Sequence, residues 1–308
     1  MTRPTTTPAR LFERAAHEAA AVVIGQYSTS FGMAVRLLRE PVRTAVRDVY
    51  AMVRVADEVV DGACADLSTQ EVRTILDRYE QDVLAAIPRG FSTDLVIHAF
   101  APTARRVGIT AELVGPFFDS MRADLTRSAH DRGSLEEYVH GSAEVVGLMC
   151  LRCFLHDQPD REEAWVRLRP GAERLGAAFQ KVNFLRDLST DSGELGRTYF
   201  PGVTPDTLDE ATKSRLVTEI DADLRAADTA IAQLPDSSRA AVRTAHLLFG
   251  ELNDRIAATP ARELARTRVR VPDARKAVLV ARAFLREDVS APGTGSGRPS
   301  RSVAGGTK

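Results

Sequence analysis

Residues 161–191 read REEAWVRLRPGAERLGAAFQKVNFLRDLSTD. Apolar positions recur at three and four residues, the spacing of one helical face. The segments Ala172–Phe179 and Val182–Leu185 are largely apolar, which predicts a long helix buried on several sides. Asn183, Asp187 and Asp191 nevertheless recur at four-residue steps, placing an amide oxygen and two carboxylates along one ridge, with Gln180 beside it. An exposed polar stripe is ordinary on a helix, but acids on a buried helix need partners.

The rest of the chain has the same character. Ala, Leu, Arg, Glu and Asp dominate, and alternating β-branched runs are scarce, so the fold class is all-α. Predicted helices cover 10–25, 41–61, 69–87, 92–106, 110–127, 134–156, 161–191, 208–233, 236–258 and 273–286, separated by Pro and Gly breaks. The stretch around Pro201, GRTYFPGVTPD, reads as an ordered loop. Neither a fixed-period repeat nor a flexible linker interrupts this pattern, which favours a single helical domain over 10–287. Residues 1–9 and 288–308 are poor in large apolar residues and rich in Thr, Ser, Gly and Pro, and are expected to be disordered tails.

Composition narrows the function classes. Lys and Arg number 41 against 42 Asp and Glu, a formal net charge of -1, which argues against a basic surface for nucleic acid. Cys64, Cys150 and Cys153 are too few for a disulfide scaffold in 308 residues, so a reducing cytoplasm fits. The N-terminus lacks a secretory pattern, and no apolar run approaches the roughly 20 residues of a spanning helix. The expectation is a cytoplasmic protein, with peripheral membrane contact left open.

A second acidic ridge lies in YAMVRVADEVVDG, residues 50–62. At about 100° per residue, Tyr50, Arg54, Asp57 and Asp61 fall within roughly 60° of one another. Two carboxylates one turn apart repel, and acids at a helix C-terminus oppose the dipole. The ridge is either a solvated acidic helix end or a place for a compensating cation, for which Mg²⁺ is a candidate. If the two ridges face each other they form a divalent-metal cage whose open coordination positions suit diphosphate oxygens.

Here the chain resembles the squalene/phytoene synthase family, the head-to-head prenyl diphosphate synthases. Asp57-Glu58-Val59-Val60-Asp61 resembles the first acidic motif of that family, and Asn183-Phe184-Leu185-Arg186-Asp187 with Asp191 the second. Tyr27-Ser28-Thr29-Ser30-Phe31 resembles the early Ser-x-Ser-Phe element, Tyr138 to Gly147 the Tyr-led central signature, and Gly196 to Pro201 the Arg-x-Tyr-Phe-Pro segment. VPDARKAVLVARAF, residues 271–284, fits the last helix, so the resemblance runs from about residue 20 to 286. One departure is Ser142-Ala143-Glu144, where the family often has Val-Ala-Gly; Glu144 there could change pocket volume or make a new contact.

The resemblance implies an isoprenoid synthase fold around a central prenyl pocket and a condensation of two allylic diphosphates. It implies Mg²⁺, or Mn²⁺, on Asp57, Asp61, Asn183, Asp187 and Asp191. Arg54 and Arg197, with Ser28 and Ser30, would bind diphosphate oxygens, beside Gln180 and Asn183. Phe31, Tyr50, Tyr138 and Tyr199 would line a dry cation pocket, with a tyrosine oxygen aiding proton loss. The wording is most similar to bacterial phytoene-forming members, which implies two geranylgeranyl diphosphates joined through prephytoene diphosphate to phytoene, a step of carotenoid formation, without NADPH. Farnesyl diphosphate giving dehydrosqualene or squalene is the alternative, and a non-catalytic relative a further one.

Other signals read as ordinary helix content. Cys150, Cys153 and His156 lack a second pair to complete a zinc site. Glu137-x-x-His140 occurs once, where a di-iron bundle needs two such motifs. Trp165 reads as a packing residue.

Overall fold

The computed structural model of the chain describes residues 7–28, 30–64, 66–193 and 196–288. In chain order the helices are α1 (Pro8–Tyr27), α2 (Ser30–Arg36), α3 (Val42–Asp61), α4 (Thr69–Arg89), α5 (Leu95–Val107), α6 (Ala111–Asp124) and α7 (Arg132–Val139). A π-helical turn (His140–Glu144) leads into α8 (Val145–Leu155), then α9 (Arg161–Gly193), α10 (Glu210–Ala232), α11 (Arg239–Ala258), α12 (Ala261–Leu264) and α13 (Asp273–Asp288). No strand occurs among the described residues; one isolated bridge joins Ala129 to Thr198. The all-α expectation holds in a single helical domain.

Local chemistry sets the boundaries. Asp94, Asp131 and Asp209 each accept a backbone N–H at a helix start, and Ser68 with Glu71 forms a reciprocal capping box before α4. Such caps contribute about 1 kcal/mol each. Gly90 and Gly108 end α4 and α5 in the left-handed conformation, as glycine does without strain. The first helix starts at Pro8, capped by Thr7, two residues into the expected N-terminal tail. Residues 1–6 and 289–308, most of both expected tails, lie outside the described residues.

Three elements differ from the expected pattern. The short α2 was not predicted, because Gly32 within seven residues weakens any helical signal; α12, four residues long, is below the reach of periodicity. The single helix expected over 134–156 is split by the π turn at His140–Glu144. There Gly141 lies against Ser120 and the Pro116 carbonyl, in space a Cβ would occupy, so the extra residue accommodates a close crossing with α6.

At the centre α9 packs against α8, the π turn, α10 and α11. A Cβ on Gly176 would stand 2.7 Å from the Ala143 carbonyl, so glycine permits the backbone of α9 to approach the π turn. Two apolar cores flank this spine. One joins α3, α5, α6 and α8 around Met52, Phe100, Phe117 and Phe118; the other joins α9, α10 and α11 around Val182, Leu185 and Ile220. Between them the helices leave a cavity.

Candidate active site

The last turn of α3 carries Asp57, Glu58 and Asp61 against the unfavourable end of the helix dipole. Arginines supply the compensating charge. Arg54 donates to Asp57 Oδ2 at 2.5 Å and to Glu58 Oε2 at 2.7 Å, with its guanidinium 4.6 Å from the centre of the Tyr27 ring. Its Nε is buried without an acceptor. Burial, then the charge of Asp61, pushes the Asp57 carboxyl well above the usual carboxylate range despite Arg54.

Arg197 ties the two acidic ridges together. From the loop after α9 it donates to Asp61 Oδ1 at 2.8 Å and to the Val60 carbonyl at 2.9 Å, while its backbone N–H donates to the Asp191 carbonyl at 2.9 Å. It also stands 3.9 Å from Asp124, at the end of α6. Asp124 is almost fully buried and accepts from the Tyr138 hydroxyl at 2.7 Å. Burial raises its pKa to about 6, with Arg197 and the Tyr138 hydrogen bond opposing the rise. Tyr138 and Tyr199 lie 5.2 Å apart, and Tyr199 stacks on Phe184 at 4.0 Å and on His130 at 5.8 Å.

On the second ridge, Asp187 is held by the neighbouring Arg186 and by Arg268, whose Nε lies 2.7 Å from Oδ1. Asp191 has its pKa raised to about 7 by burial and then by the charges of Asp187 and Asp61. Asn183 Oδ1 is buried and has no hydrogen-bond partner, an acceptor with nothing to accept from. Among the described residues no three acidic, His or Cys side chains converge on one point. The expected protein-only cage is therefore not closed: Arg197 spans the two ridges. Crowded carboxylates together with an orphaned amide oxygen form an all-oxygen donor set that suits a hard divalent cation, with the rest of its coordination left to another ligand.

Below this mouth runs a cavity of about 330 Å³. One α9 stripe, Leu168, Gly171, Ala172, Leu175, Gly176, Phe179, Gln180 and Asn183, forms a continuous wall. At 1.5 Å per residue that wall is about 22 Å long. Phe31 and Tyr50, stacked with centroids 5.6 Å apart, stand at the Asn183 end; Leu151, Phe154, Leu168 and Leu234 close the other. Gln180 donates to Ser142 Oγ at 3.2 Å, leaving few free polar groups on the wall.

The structure brings Tyr50, Arg54, Asp57, Asp61, Asn183, Asp191 and Arg197 to the mouth. Ser28 Oγ accepts from Gly32 N–H at 3.3 Å on the same side. Ser30 opens α2 and is described in its backbone only, and Thr29 lies outside the described residues. Tyr138 and Tyr199 stand elsewhere than expected: they are off the wall of the cavity, packed with Phe184 behind the acids, where their hydroxyls serve Asp124. Glu144 pairs with His140 Nδ1 at 2.9 Å and does not line the cavity. Sequence reasoning missed Asp124, His130 and Arg268. Asp124 and His130 lie outside the acidic repeats, and Arg268 belongs to a loop with no periodicity; only folding brings Asp124 and Arg268 to the mouth and sets His130 behind it, against Tyr138 and Tyr199.

An acid-and-arginine mouth over a long apolar cavity, in an all-α bundle, has the shape and chemistry to take a long apolar chain with a strongly anionic head. The family model described as squalene/phytoene synthase matches residues 24–275. The chain belongs to this family, whose members are prenyltransferases acting on prenyl diphosphates. A phytoene synthase of Arthrospira platensis is 30% identical over 58% of this chain and 59% of its own length. A presqualene diphosphate synthase of Rhodopseudomonas palustris is 29% identical over 61% of this chain and 62% of its own, and phytoene synthase 3 of Zea mays 28% over 89% and 66%. The chain thus spans about three fifths to two thirds of these relatives. Among solved structures, a dehydrosqualene synthase with bound ligand superposes with a TM-score of 0.73 at 20% identity, over 90% of this chain and 98% of that one. A squalene synthase from Alicyclobacillus acidocaldarius gives 0.68 at 19%, over 86% and 98%. At those identities the likeness is one of fold. Among the described residues no helix is long and apolar enough to cross a membrane.

Proposed function

We propose that the chain condenses two geranylgeranyl diphosphates head to head to phytoene, with release of diphosphate. The observation that carries this reading is the length of the apolar tunnel below the mouth, about 22 Å along α9. An extended chain advances about 1.2 Å per bond, as polypeptide does, so a geranylgeranyl tail spans about 18 Å and a farnesyl tail about 13 Å. The longer tail uses the available depth, and the similarity to phytoene synthases of a cyanobacterium and a plant supports the same substrate. The presqualene diphosphate synthase relative supports the second reading, condensation of farnesyl diphosphate to a C30 product.

In this reading the allylic carbon–oxygen bond breaks with both electrons leaving on diphosphate. Asp57, Asp61, Asn183, Asp187 and Asp191 would hold Mg²⁺, or Mn²⁺. Bound there, the ion neutralises charge on the departing diphosphate. Arg54 and Arg197, paired with carboxylates in this structure, would donate to diphosphate oxygens, with Ser28 and Arg268 close by. The cation left on the chain lies against Phe31 and Tyr50, in a tunnel whose apolar wall excludes water. The double bond of the second tail captures it, and proton loss closes a cyclopropylcarbinyl diphosphate. A second ionisation, rearrangement and proton loss finish the product without a reductant, so NADPH is not required. Tyr50, at the junction of tunnel and mouth, would relay that proton through its hydroxyl to the released diphosphate, since a neutral phenol cannot keep it. Tyr138, Tyr199 and Asp124 hold Arg197 in position behind it.

Purified protein with Mg²⁺ and either geranylgeranyl or farnesyl diphosphate, with and without NADPH, tests this directly by the hydrocarbon formed. Phytoene from the C20 substrate is expected; a C30 hydrocarbon alone would overturn it in favour of the second reading.

A further inference from the structure

The far end of the tunnel and a second depression share a lining residue, Leu234. Leu151, Leu155, Ala164, Leu168 and Leu234 form a small apolar cluster separate from the two main cores. Leu151 and Leu168 face the tunnel, while Leu155 and Ala164 face a second, polar depression of about 550 Å³ between the α8–α9 and α10–α11 connections. Leu234 faces both. Asp157, Asp160, Arg167 and Arg239 line the depression, so a hydrocarbon tail passing the cluster would leave an apolar wall for charged groups.

We propose that Leu234, the residue that lines both cavities, is the partition that limits the length of prenyl chain this protein accepts. This rests on the reading of the tunnel as a prenyl site. The backbone of Leu234 is pinned: its N–H donates to the Ile231 carbonyl at 3.2 Å, and its carbonyl accepts from Arg239 Nε at 2.8 Å. Arg239 in turn pairs with Asp236 at 2.9 Å. With the main chain fixed, truncating the side chain opens a passage rather than letting the helices collapse into the space. Gly171 and Ala172 line the approach to the partition, and a Cβ on Gly171 would meet Ala230, so glycine there sets how closely α9 and α10 pack at this end.

The test is an affinity ladder. Saturated n-alkyl diphosphates of increasing length are titrated calorimetrically into the Mg²⁺-loaded full chain and into the L234A and L234F variants, each checked for native helicity. Each buried methylene strengthens binding about fourfold until the tail meets the end of the tunnel. In the native protein the gain is expected to stop at a defined length. L234A should move that stop to longer tails by at least two carbons, and L234F to shorter ones, with the Gln158→Ala change in the depression leaving it in place. Should L234A not fold, L234F alone decides the direction. A stop at the same length in all variants overturns the partition, as does a native ladder with no stop. Absence of any hydrocarbon product with an intact, variant-sensitive ladder would instead fail the condensation reading alone.

Discussion

Helix α3 carries a buried acid and, nine residues on, half-buried ones, and they differ in who satisfies them. Asp48 is fully buried where α1, α3 and α5 meet, accepting from Thr103 Oγ1 at 2.8 Å and facing His17 Nδ1 at 2.9 Å. Both of its oxygens are used, so it closes a structural contact. Asp57 and Asp61, at the end of the same helix, are crowded by other acids and held only by arginines. An acid with neutral or titrating partners stabilises a fold; acids in mutual repulsion store a demand for another cation. The same residue type on one helix thus has opposite consequences for stability and function.

The sharpest way to break that comparison is substitution at each end. Asp57→Ala or Asp187→Ala should lower turnover by about a thousandfold or more, on the scale of lost electrostatic stabilisation, with little loss of thermal stability. Asp48→Ala should do the reverse: about 3 kcal/mol of stability is lost by stranding buried partners, measured by urea denaturation, with product identity unchanged. Full turnover in Asp57→Ala would remove that residue from the site.

Arg197→Ala tests the tie between the ridges. It leaves Asp61 and Asp124 without their shared cation, and turnover should fall about a hundredfold, with Arg197→Lys recovering part of it because a lysine keeps the charge but not the forked donors. Tyr138→Phe removes the donor to Asp124 and should reduce turnover about tenfold through Arg197, the cost of one hydrogen bond to a charged group. Unchanged kinetics in Tyr138→Phe would mean that Asp124 does not need that hydroxyl to position Arg197.

The structural pair also predicts a pH dependence. The hydrogen bond to Asp48 raises the pKa of His17 above its usual 6.5, against the opposing effect of burial. Its contribution to stability is fully present below 6.5 and is lost as pH rises through the folded pKa. Burial raises the pKa of Asp48, so ionising that carboxyl also favours the unfolded chain as pH rises. Stability should therefore decline as pH rises above 6.5, and His17→Ala should flatten the slope. The smallest effect is expected at Glu144, a partly exposed partner of His140: Glu144→Gln should leave the product unchanged and alter stability by less than about 0.5 kcal/mol.

How much of this was legible in the chain varies with the range of the interaction. The acidic ridges could be read because helical periodicity places Asn183, Asp187 and Asp191 on one line, and Arg54, Asp57 and Asp61 on another, without knowledge of any neighbour. Gly141 and Gly176 gave no signal of their own. Their roles exist only because other backbones approach them, and the π turn that divides α7 from α8 follows from that approach.

The helical class, most of the helices, the two acid-bearing faces and, through motif order, the family can all be read along the chain. Those properties depend on contacts within a few residues. Helix packing is what makes Arg197 span the ridges, brings Asp124 and Arg268 to the mouth, and sets Tyr138 and Tyr199 behind it instead of on the tunnel wall. It also decided that the tunnel ends at Leu234, in a connection distant in sequence from either acidic motif. Charge balance and cavity shape are sums over side chains from separate helices, and a linear pattern carries no record of how those helices cross.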